Sequence, residues 1–103
     1  MFLKKIFLLF VLIIFTRSAF SDDKMALGLD VFNNKGQCGV CHALRDANSD
    51  GQIGPNLDQL KPKLEQIVYS VTNGIGVMPS FEGMLTVEEI NAVAYYIFNK
   101  TNN

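Results

Sequence analysis

The apolar positions fall into one unbroken block and three periodic stretches. Ile6 to Phe15 is ten apolar residues in a row, preceded by Lys4 and Lys5. Beyond it the apolar residues recur at helical intervals. Met25 to Asn34 predicts a short helix, with Leu29, Phe32 and the small Gly28 on overlapping faces. Asp22 and Asp23 suit its N-terminus, and Gly36 is expected as a left-handed stop. Leu64, Ile67, Val68 and Val71 predict a second helix, with Pro62 in its first turn and Asn73-Gly74 at its end. Ile90, Val93 and Ile97 form the stripe of a last helix that runs to about Phe98. Thr86-Val87-Glu88-Glu89 opens it with a capping-box pattern, S/T-x-x-E. Arg45 to Pro55 is rich in Asp, Asn, Ser and Gly and reads as loop, and Gly74 to Gly83 as a second, extended loop. No stretch alternates with period two, so the expected class is all-α.

The unbroken block has a different meaning. A basic start, ten apolar residues and the small Ala19 and Ser21 make a secretory leader with cleavage before Asp22. Ten residues are too few for a permanent membrane anchor, which needs roughly 20. The expected organisation is a leader over 1–21 and one domain over 22–103.

Removing the leader changes the charge. The whole chain of 103 residues has nine basic and ten acidic residues; residues 22–103 keep six basic and all ten acidic, a net −4. That balance disfavours nucleic-acid binding, which needs a basic patch. A domain of about 80 residues also buries too little surface to be robust alone, so a staple or cofactor is expected.

The reactive inventory is short: two cysteines and one histidine, all within Cys38-Gly39-Val40-Cys41-His42. This is C-x-x-C-H, the attachment sequence for c-type haem. Two thiols one turn apart reach the two vinyl groups of one haem as thioethers, and His42 then meets the iron. A four-ligand zinc site cannot be assembled from three such residues. A thioredoxin-like reading lacks its βαβ context, and a plain disulfide leaves His42 unexplained.

With one histidine, a second axial ligand to iron has to come from methionine, and residues 22–103 offer Met25, Met78 and Met84. Met78 sits in Asn73-Gly74-Ile75-Gly76-Val77-Met78-Pro79, where glycines allow close approach and Pro79 stiffens the chain. Met78 is therefore the expected sixth ligand.

These residues resemble the class I cytochromes c over essentially all of 22–103. Besides the haem motif, Gly54-Pro55-Asn56-Leu57 and the Asn73–Pro79 loop are similar to family segments. The resemblance implies a cytochrome c fold of three to four short helices around one haem. It implies that Pro55 accepts a hydrogen bond from His42, that Leu57 packs on the haem, and that Val93 and Ile97 line its pocket. Gly28, Phe32 and Tyr96 resemble the crossing of the first and last helices. Gly54–Leu57 with Val71–Pro79 looks most like the cytochrome subunit of sulfite dehydrogenases. The implied role is a periplasmic, single-electron carrier that is not itself an enzyme. Its implied partners are a dehydrogenase, such as a molybdenum sulfite dehydrogenase subunit, or a membrane complex, and an acceptor such as a terminal oxidase. The alternative is a five-coordinate haem protein that binds or reduces a small ligand.

One further motif stands apart. Asp46-Ala47-Asn48-Ser49-Asp50-Gly51 copies the start of an EF-hand calcium loop, but position twelve is Leu57 instead of glutamate. The competing reading is a polar turn leading into Gly54-Pro55.

Overall fold

The computed structural model describes residues 21–102. The expected leader lies outside the described residues, apart from Ser21. The chain is helical from residue 21 to residue 30 (α1) and closes in a wide turn over Val31–Lys35. A short antiparallel pair follows, Ala43–Leu44 (β1) with Ser49–Asp50 (β2), in the register Ala43 opposite Asp50. Three further helices complete the order: Leu57–Leu60 (α2), Leu64–Asn73 (α3) and Val87–Thr101 (α4). Among these residues no helix is long and apolar enough to cross a membrane.

α4 forms where its sequence says it should start. Glu89 N–H donates to Thr86 Oγ1 (3.1 Å) and Thr86 N–H to Glu89 Oε1 (2.9 Å), which closes the capping box. Its Ile90, Val93 and Ile97 stripe is buried, together with Ala94 and Tyr96. α1 crosses α4 at Gly28. A Cβ there would lie 2.3 Å from Ala92 O and 2.5 Å from Tyr96 Cβ, so only a residue without one lets the backbones come this close. One turn on, the Phe32 and Tyr96 rings stack at a tilt, 6.1 Å between centroids. α3 packs its Ile67 and Val71 on α4 as well, so α4 is the element against which the others assemble.

Several local expectations need correction. Gly36 is right-handed (φ −90°), and the left-handed residue is Gln37 (φ 47°). Room is tight at 36: a Cβ would sit 3.0 Å from both Cys38 Sγ and Val31 O. Pro62 lies outside α3. Lys63, in extended conformation, caps the helix, and the Pro62 carbonyl accepts from Asn102 Nδ2 (3.1 Å). α4 runs past Phe98 to Thr101, whose hydroxyl donates back to Ile97 O (2.7 Å). The Arg45–Pro55 loop holds β2 and a single 3₁₀ turn, Arg45–Ala47.

An ion pair ties the end of the first helical segment to the start of α4: Lys35 Nζ lies 2.6 Å from Glu89 Oε2. Lys35, and then the Thr86 backbone, hold the Glu89 carboxylate below its usual range. Glu89 raises the Lys35 ammonium above its own. A lowered carboxylate stabilises the fold above its unfolded pKa and loses that contribution as pH falls through its folded pKa. The raised lysine contributes below its unfolded pKa and loses that as pH rises through its folded pKa. Glu89→Gln keeps a capping-box side chain while removing the charge. Its melting temperature is expected below that of the unchanged protein at neutral pH, with the gap closing as pH falls below the ordinary glutamate range and in high salt. A constant gap across that titration would contradict the pairing.

Candidate cofactor and metal site

The motif segment is organised by its own backbone. Cys38–Val40 is one 3₁₀ turn. Cys41 N–H (3.2 Å) and His42 N–H (2.9 Å) both donate to Cys38 O. Residues three apart eclipse in such a turn, so Cys38 and Cys41 share a side. Both are free thiols. Burial pushes the Cys38 thiol up to about 11, so it stays protonated at neutral pH and is a poor thiolate for dithiol redox exchange.

The His42 ring is held from two directions. Its Nδ1 is 2.8 Å from Pro55 O. A carbonyl can only accept, so Nδ1 carries a proton; in the neutral ring that puts the lone pair on Nε2, the arrangement a metal-bound imidazole requires. Gly54 lies flat against the ring: a Cβ there would meet His42 Cε1 at 2.6 Å. Gly54 N–H in turn donates to Cys41 O (2.7 Å), which fastens the Gly54-Pro55 segment to the motif. The donor set thus fits a haem iron on the His42 side.

Met78 is placed by a clamped loop. Ile75 and Met78 exchange backbone hydrogen bonds (3.1 and 2.9 Å) across a tight turn. Ser80 Oγ donates to Thr72 O (2.6 Å) and Phe81 N–H to Val71 O (2.9 Å), which dock the loop on α3. Leu57, Val93 and Ile97 belong to one buried cluster, and Cys38 and Met78 pack on it, partly buried. Met25 packs there too, whereas Met84 is 67% exposed and outside it.

The calcium reading loses its first oxygen ligand. Asp46 accepts from the Tyr96 hydroxyl and lies 3.6 Å from Lys100 Nζ. Burial, and then Asp46, hold the Tyr96 phenol above the usual tyrosine range. Among the described residues no group of three or more His, Cys, Asp or Glu side chains is placed to hold a metal ion. The contacts of Ser80 and Asp46 leave no signal in the sequence, because their partners, Thr72 and Tyr96, come from other elements.

Comparison with known proteins fits this geometry. The family profile described as "Cytochrome C oxidase, cbb3-type, subunit III" matches residues 23–97. The chain is 38% identical over 79 residues to cytochrome c6 of Leptolyngbya boryana, covering 73% of this chain and 91% of that protein. It is 38% identical over 89 residues to the chloroplastic cytochrome c6 of Chlamydomonas reinhardtii, covering 77% of this chain and 56% of that one. Among solved structures, the c-type cytochrome SorU from Sinorhizobium meliloti is 50% identical, with a TM-score of 0.73 over 78% of this chain and 93% of its own. The chain belongs to the class I c-type cytochromes. This cytochrome has the cytochrome c fold, takes c-type haem and serves electron transfer, without being an enzyme in itself.

Proposed function

We propose that this cytochrome is exported, loses residues 1–21, and works over residues 22–103 as a periplasmic single-electron carrier. Cys38 and Cys41 hold the haem as thioethers, and His42 Nε2 and Met78 Sδ are the axial iron ligands. Pro55 orients His42, and Leu57, Val93 and Ile97 line the pocket. The carrying observation is the 2.8 Å contact from His42 Nδ1 to Pro55 O, which leaves Nε2 as the free donor. Bound haem supplies a one-electron iron couple. With both axial positions filled by the chain, none is open to substrate, which favours a carrier over a five-coordinate ligand-binding protein.

The electron donor we propose is a molybdenum sulfite dehydrogenase, on the resemblance of Gly54–Leu57 and Val71–Pro79 to the cytochrome subunit of such enzymes. The electron then passes to an acceptor such as a terminal oxidase. The net −4 over 22–103 supports salt-dependent docking on a basic face of the partner.

Expression of the full chain in a bacterium with c-type haem maturation tests the reading. The expected product starts at Asp22, keeps its haem on denaturation, and shows a six-coordinate spectrum in both redox states. Sulfite plus a sulfite dehydrogenase reduces it faster at low salt than at high. Carbon monoxide binding to the reduced native protein would overturn the ligation, and an intact leader on the purified protein would overturn the processing.

A further inference from the structure

The run from Asp46 to Gly51 has no role once calcium is set aside, yet it builds the hairpin that follows His42. Three contacts join that hairpin to the ligand segment. Ala43 of β1 is covalently next to His42. The Ser49 hydroxyl shares its proton between His42 O (3.1 Å) and Leu44 O (3.3 Å). A Cβ on Gly51 would meet Cys41 C at 2.6 Å and His42 N at 2.7 Å, so the chain leaving β2 lies flat on the motif backbone.

At its other end the hairpin is moored to helices. Arg45 N–H donates to Asp58 Oδ2 of α2 (2.8 Å). The Tyr96 hydroxyl of α4 donates to Asp46 Oδ2. Tyr96 itself cannot move: it is 1% exposed, its ring lies on Phe32 and its Cβ on Gly28. Asp46 is thus the point where the rigid crossing of α1 and α4 grips the hairpin. A hydrogen bond to an ionised acceptor is among the stronger kinds. The Lys100 pair at 3.6 Å is more than a third exposed on both sides and contributes little.

We propose that Asp46, held by Tyr96, is a positioning residue for His42: it sets the hairpin, and through it the backbone from Cys41 to Leu44, so that the His42 ring stays aligned on Pro55 O. This rests on His42 being an iron ligand.

The test uses oxidised, haem-loaded protein and reads two signals: the paramagnetically shifted proton resonances of the His42 ring, and hydrogen exchange of the hairpin amides. Tyr96→Phe keeps the ring and its packing while removing the hydroxyl. Asp46→Ala removes the acceptor. Both variants, and the double variant, are expected to show the same displaced His42 resonances and roughly tenfold faster exchange over Ala43–Asp50. Asp46→Asn keeps an acceptor oxygen and restores most of the original spectrum, and Lys100→Ala leaves it unchanged. Unmoved His42 resonances in Tyr96→Phe and Asp46→Ala, whatever their melting temperatures, overturn the proposal. Shifts that simply add in the double variant, or no rescue by Asp46→Asn, also overturn it. Absence of shifted His42 resonances in the unchanged protein would instead overturn the ligation itself, and the proposal with it.

Discussion

Met78→Ala is expected to turn a six-coordinate iron into one with an open position. The reduction potential falls by on the order of 0.1 V or more, within the roughly 0.8 V that axial ligation spans. Thioether ligation favours the reduced iron, and its loss removes that preference. The reduced variant gains carbon monoxide binding that the unchanged protein lacks. The effect stays local because the loop is fastened by other groups. Ser80 on Thr72 O and Phe81 on Val71 O hold its ends, and neither bond involves the Met78 side chain. Melting temperature therefore changes less than potential does. Redox titration and visible spectroscopy of the variant check this, and an unchanged ligand-field spectrum would exclude Met78 from the iron. Met84→Ala is the control, since Met84 is exposed and outside the core.

Gly28→Ala is expected to give the largest loss of stability from a single methyl group. Elsewhere in a helix the change gains about 1 kcal/mol from propensity. At the α1–α4 crossing the new carbon would lie 2.3 Å from Ala92 O and 2.9 Å from Ala92 C. Those are backbone atoms of a 15-residue helix, with no rotamer that moves them aside. The two helices must separate, which loosens the Phe32–Tyr96 contact. Overpacking of this kind costs about 1–3 kcal/mol, and the upper end applies where backbone meets backbone. For a domain of this size the melting temperature drops by roughly 12–24 °C. Thermal unfolding of the haem-loaded protein reads the difference. A variant as stable as the original would mean that the helices do not approach this closely.

The parts of the fold legible in the sequence are those carried by near neighbours along the chain. The Thr86 capping box, the C-x-x-C-H turn and the stripe of α4 all depend on residues three to seven apart. Handedness at the end of the first helical segment is not legible because a glycine there can serve either of two needs. At Gly36 it is room beside Cys38, and Gln37 takes the left-handed turn. The β1–β2 pair has two residues per strand, too few to show alternation, and α2 is a single turn. The last turn of α4 leaves no apolar trace because Asn99-Lys100-Thr101 is polar, and Thr101 is nevertheless buried through its bond to Ile97 O. The calcium-like run is the clearest case. Its spelling describes oxygens that could converge locally, but Asp46 is taken by Tyr96, fifty residues away. Pairings of that length leave no periodic trace.

The crossing at Gly28 also orders events in time. Its two sides are 68 positions apart, and the haem-motif turn and the Met78 loop both lie between them. A chain that has not yet reached α4 has nothing for Gly28 or Phe32 to close on, however far α1 has formed. Closing so long a span carries a loop entropy that local helix formation does not repay. The unfinished chain therefore stays open at this crossing. Cys38 packs against the core only after closure, so its thiol is most accessible beforehand. On the proposed attachment at Cys38 and Cys41, the open chain before that contact closes is the form expected to take the haem.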